Sequence, residues 1–108
     1  MQLLSQTLLS ASTEVDLYSV PTKSPSRVQV EYITICLVDT YGMTHISINV
    51  AEKGVATESK QYVFYFYVID SGGSRLDVKL PLSPGSILRA TADADNVAVG
   101  VYGSFVSL

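Results

Sequence analysis

Apolar and polar residues alternate with a period of two along most of this chain, which predicts strands with one buried face. Residues 13–20 hold Val15, Leu17 and Val20 and end at Pro21. Over 27–38, Val28, Val30 and Tyr32 alternate with Gln29 and Glu31, and from Ile33 onward both faces become apolar. That change of phase fits a strand passing into the middle of a sandwich, or a bulge near Tyr32 and Ile33. Residues 43–50 set Ile46, Ile48 and Val50 on one face, with His45, Ser47 and Asn49 on the other. Residues 61–69, QYVFYFYVI, are β-branched or aromatic almost throughout and predict a strand apolar on both faces. Leu76, Val78, Leu80 and Leu82 then alternate with Arg75, Asp77 and Lys79. In the last third, Ser83-Pro84-Gly85 predicts a turn, 87–91 a short strand, and 93–96 a polar corner. A final strand alternates Val97, Val99 and Val101 with Ala98, Gly100 and Tyr102.

Turn chemistry separates these runs. Prolines 21 and 25 bound one loop, 39–42 and 70–74 read as turns, and 51–60 is a polar loop with room for one helical turn. Residues 1–12 are apolar and Ser/Thr-rich, and predict an opening edge strand or an arm packing on a neighbouring subunit. No stretch sustains a 3.6-residue period. Seven or eight short strands, with turns about every 8–12 residues, predict an all-β protein. The expected architecture is a single-domain antiparallel β-sandwich or jelly roll over 13–108, preceded by the 1–12 segment.

Composition narrows the function. Only 16% of the residues are charged, against about 25% in an average domain, while 47% are apolar. Much of the surface is therefore neutral, and a homo-oligomer or larger assembly is expected to cover part of it. The net charge is −3 and the Lys and Arg residues are scattered singly, so a nucleic-acid partner is not expected. No run approaches the roughly 18 apolar residues of a membrane span. The first basic residue is Lys23, so the N-terminus lacks the positive region of a secretory signal. Synthesis in the cytoplasm and use without export are expected. Cys36 is the single cysteine and sits in the run Ile33–Val38, where a small buried hydrophobe is the expected role.

Chemistry-bearing residues are sparse. His45 is the only histidine, so any nucleophile–base pair would run through it, and its strand position reads as solvated. Asp93, Asp95 and Asn96 lack the spacing of a calcium loop and read as turn residues. The pairs Glu14 with Asp16 and Glu52 with Glu58 read as solvated surface. No catalytic, cofactor-binding or metal-ligating residue is assigned, and an enzyme is not expected. The aromatics at 62–67 lack the accompanying Arg and Lys of a base-stacking platform. They suit core packing and a subunit interface, where tyrosine is enriched. The candidate interface residues are Leu3, Leu4, Leu8 and Leu9 of the first segment, with Tyr62, Tyr65 and Tyr67.

Several segments, in order, resemble a group of small virion structural proteins of tailed bacteriophages. They are LYSVP at 17–21, the strand at 28–37, HISINVA at 45–51, TESKQYVFYFY at 57–67, and LSPGSILRA at 82–90, continuing to Gly103. Their order matches the group's "Y-x-V-P" entry, strand pair, "K-x-Y" strand, "L-x-x-G-D-x-L-R" turn and "V-x-V-x-G" ending. The resemblance spans residues 14–107. Ser86 departs from the group's usual Asp, a weaker anchor for that turn. The resemblance implies a β-sandwich or jelly-roll virion component without enzymatic activity. It implies a homotrimeric decoration (cement) protein on the outer capsid surface, bound to the major capsid protein. The alternative it implies is a tail, baseplate or fibre module, with host surface carbohydrate as its contact.

Overall fold

The computed structural model describes residues 1–38, 43–70 and 73–107. The turn expected at 39–42 lies outside the described residues, as does Gly72 of the turn expected at 70–74. Among the described residues there are eight strands: β1 (Gln2–Leu9), β2 (Val15–Ser19), β3 (Ser26–Leu37), β4 (Met43–Glu52), β5 (Tyr62–Asp70), β6 (Ser74–Leu82), β7 (Ser86–Ala92) and β8 (Val97–Ser107). The polar loop after β4 holds one 3-10 turn, Ser59–Gln61, closed by reciprocal bonds between Glu58 and Gln61. Residues 2–9 thus form an edge strand on the sandwich.

The strands form two antiparallel four-stranded sheets, ordered β1-β8-β3-β6 and β2-β7-β4-β5. Only β4 and β5 are consecutive neighbours within one sheet; every other connection crosses between sheets. This order is that of the eight-stranded jelly roll, a sandwich built from two Greek keys. The inner faces meet in one core that includes Leu17, Val30, Ile33, Ile48, Leu88 and Val99.

The two ends are closed by backbone bonds between turns. At one end Ser12 N–H donates to the Ala92 carbonyl, and Ala11 N–H donates to Asp95 Oδ1. At the other, Val20 and Ser86 are bonded, and the Val20 carbonyl accepts from Gly85 N–H. Gly85 has φ +90°, the left-handed turn conformation that glycine adopts without steric cost.

The phase change in β3 has a specific cause. In the β3–β8 ladder Val30 opposes Gly103 and Tyr32 opposes Tyr102, so Glu31 is an extra residue without a partner. Before this bulge Val28 and Val30 point inward; after it Ile33, Ile35 and Leu37 do. The expectation of a bulge was right, one residue later than its actual place. The same shift corrects the expected burial of Cys36. With odd-numbered residues turned inward, Cys36 faces outward and its thiol is exposed. Gly103 fits the crowded crossing beside the bulge, because a Cβ there would overlap the Gln29 carbonyl oxygen.

Candidate interaction surface

Each sheet has two edges, and the four edges differ. The outer strand β6 carries Arg75, Asp77, Lys79 and Pro81, which discourage strand pairing. The outer strand β2 is five residues long and carries Asp16. By contrast β1 has no charged residue, and β5 has none between Tyr62 and Ile69.

Strand β5 also breaks its own alternation. Ile46 pairs with Tyr67 and Ile48 with Phe64, so Tyr65 and Phe66 together oppose Ser47 alone. Asn49 then pairs with Tyr62, leaving Val63 as a second extra residue. Phe66 sits at φ +50°, a left-handed conformation that is unusual for a bulky residue. Its N–H donates to Ser47 Oγ at 3.1 Å, which holds the bulge. Two bulges in five residues defeat the one-in, one-out rule. Only Ile69 of the described β5 side chains is fully buried, and Phe64 packs against the core. Tyr65 is 63% exposed, Phe66 54%, Val68 47% and Tyr67 41%.

The exposed rings form a connected ridge. Tyr62 meets Tyr65 edge-on at 4.9 Å between ring centroids, and Tyr65 lies 4.6 Å from Phe66. Phe66 in turn meets the His45 ring at 5.7 Å. His45 is partly exposed and shares a 3.0 Å contact with Asp93, so the lone histidine joins the aromatic edge to the 93–96 corner.

On the outer face of the β1-β8-β3-β6 sheet lies a shallow groove of about 370 Å³. Its lining includes Gln6, Leu8, Thr34, Cys36, Ala98 and Gly100, none of them charged. Ala98 leaves the recess open between Leu8 and Cys36, whereas at Gly100 the space of a Cβ is already taken by Thr34 Oγ1, 2.7 Å away, and by the Tyr102 ring. A second recess, about 340 Å³, is lined by Glu31, Tyr32, Arg75, Asp77 and Lys79 among others. There Tyr32 stacks on Tyr102 at 4.6 Å, and the Arg75 guanidinium sits 3.8 Å from the Tyr32 ring centroid.

The outer face of the other sheet is covered by its own loop. The Arg89 side chain on β7 is 11% exposed; it donates to Thr57 Oγ1 at 3.2 Å and lies 3.5 Å from Asp16 and 4.0 Å from Glu14. Glu14 also accepts from the Thr57 hydroxyl and from the buried Asn49 amide. Glu14 and Asp16 are both exposed, as expected; in addition Glu14, through Thr57, holds the loop after β4 down on the sheet. Neither is placed as an acid–base pair, since an arginine lies against both.

The candidate interface residues separate into three groups. Leu3, Leu8, Tyr65 and Tyr67 are exposed. Tyr62 and Leu4 are half-buried, and Leu4 packs on the core. Leu9 is fully enclosed in the core, because β1 pairs with β8 and turns that side chain inward. It is therefore not available to a partner. The leucines and tyrosines do not form one patch: β1 stacks over β2, and β5 lies at the opposite edge of the β2-β7-β4-β5 sheet. Phe66, Cys36 and the small residues Ala98 and Gly100 were not among the candidates. A bulge that the strand pattern does not signal turns Phe66 outward, whereas the phase change that turns Cys36 outward is the one legible near Tyr32 and Ile33. In comparisons with protein families, curated proteins and solved structures, no match to this chain was found.

Proposed function

We propose that this chain is a non-enzymatic building block of a tailed-phage virion: a homotrimeric decoration protein that binds major capsid subunits on the outer head surface. The ordered sequence resemblance over 14–107 supports the virion setting, and the jelly roll is a fold that viral shells use. The observation that carries the binding role is the β5 edge. Its exposed Val63, Tyr65, Phe66, Tyr67 and Val68 present apolar surface on the order of 400 Å². That is roughly half of the ~800 Å² per partner in a standard interface. The mechanism is burial of neutral surface, repeated by symmetry so that weak contacts add as avidity.

A tail, baseplate or fibre module that contacts host carbohydrate is the second reading. The recess beside the Tyr32–Tyr102 stack favours it, because aromatic faces with charged and polar neighbours suit sugar rings. The test is light scattering on the purified protein together with its binding to empty shells. A stable trimer that saturates shells and raises their disruption temperature is the expected result. A protein indifferent to shells that binds a glycan overturns the decoration reading in favour of the second.

A further inference from the structure

The ridge and the uncharged groove are complementary, and they lie on different sheets. We infer that the Tyr65–Phe66 ridge of one copy seats in the groove bounded by Leu8, Cys36, Ala98 and Gly100 of a second copy. The inference rests on the reading of this chain as a self-assembling subunit, and it specifies how that assembly is made.

Three observations carry it. The first is fit: the groove is about 370 Å³, and the single methyl of Ala98 leaves room for an aromatic ring between Leu8 and Cys36. The second is chemistry. The groove offers apolar walls plus the Gln6 amide and the Thr34 hydroxyl, which suit a phenol ring and its hydroxyl. The other recess is lined by Glu31, Arg75, Asp77 and Lys79, so an aromatic ridge entering it would desolvate charges. The third is placement. The ridge is built on an edge of the β2-β7-β4-β5 sheet and the groove on the outer face of the opposite sheet, so a copy cannot fill its own groove. Each copy offers one ridge and one groove. Made head-to-tail, as the threefold reading requires, the contact closes into a ring or runs on as a filament according to its rotation. The two bulges in β5 rule out a regular strand ladder there, so side chains rather than backbone bonds make the contact.

Two variants of the full chain test this. Tyr65→Lys spoils the ridge and leaves the groove; Ala98→Phe fills the groove and leaves the ridge. Each is expected to be a folded monomer by circular dichroism and light scattering, and an equal mixture is expected to form a dimer of one of each. The second readout is alkylation of Cys36 by iodoacetamide, since the chain's only thiol lines the groove. In the assembled wild type it is expected to slow by about tenfold or more relative to Tyr65→Lys. This readout does not depend on the Ala98→Phe variant folding. If Ala98→Phe self-associates like the wild type while Tyr65→Lys does not, ridge meets ridge and the inference is overturned. Equal thiol reactivity in wild type and Tyr65→Lys overturns it as well. A ring or filament that passes both tests yet ignores shells keeps this inference and removes the decoration reading.

Discussion

Strands β5 and β8 reverse what their compositions suggest. Strand β5 contains the most aromatic run of the chain, YVFYFY, yet it lies at a sheet edge with most of its side chains exposed. Strand β8 is built from valine, alanine, glycine and serine with two aromatics, yet it runs down the centre of its sheet between β1 and β3. The difference teaches that size does not set position. A central strand must let neighbours approach on both sides and on its face, and Gly103 at the Glu31 bulge shows how close that approach is. An edge strand has one free side, so it tolerates two bulges and a left-handed Phe66. The large rings of β5 are then spent on outside surface rather than on the core.

If that contrast is right, substitutions at the centre should unfold the protein and substitutions at the edge should not. The largest effect is expected for Gly103→Ala, where the new methyl meets backbone and cannot be relieved by a side-chain rotation. A loss of about 4 kcal/mol or more by urea unfolding is expected, and a wild-type midpoint would break the account of the β3–β8 crossing. Next is Ile48→Ala, which empties a fully buried site on β4 and should cost ~2–5 kcal/mol in the same assay. Arg89→Ala is expected to cost about 1–3 kcal/mol, since Thr57 loses its donor and two carboxylates lose their cation. It should also speed proteolysis in the loop after β4, because Arg89 and Glu14 hold Thr57 down. The smallest stability change is expected for Phe66→Gly, within about 1 kcal/mol. Relief of the left-handed backbone there offsets lost ring contacts and the greater freedom of the unfolded chain. Light scattering sharpens the comparison, because the same variant should lose self-association. A large loss of stability without loss of assembly would assign Phe66 to the core after all.

How much could be read in advance follows the same division. Strand boundaries came within one or two residues for most elements, because Pro21, Ser83-Pro84-Gly85 and the 93–96 corner punctuate the chain in recognisable turn chemistry. Inward positions of β4 and the first half of β8 were legible, since Ile46, Ile48, Val97, Val99 and Val101 keep strict alternation. The candidate surface was only half legible. Tyr65 and Tyr67 were identified by their chemistry, whereas Leu9 was assigned to a partner and is in the core. Cys36 was expected inside and lies outside, because one unpaired residue five positions earlier reverses every later side chain of that strand.

By itself, then, the sequence determined the all-β class, an order of seven or eight strands and a low-charge composition, because these depend on local alternation, turn residues and residue content. Only the tertiary structure decided which strands became edges, where the bulges fell and which faces the rings and small residues occupy. Those outcomes depend on register between strands far apart in the chain: Glu31 is extra only because Val30 and Tyr32 pair with consecutive residues of β8, and Phe66 turns outward only because Ser47 opposes two residues of β5.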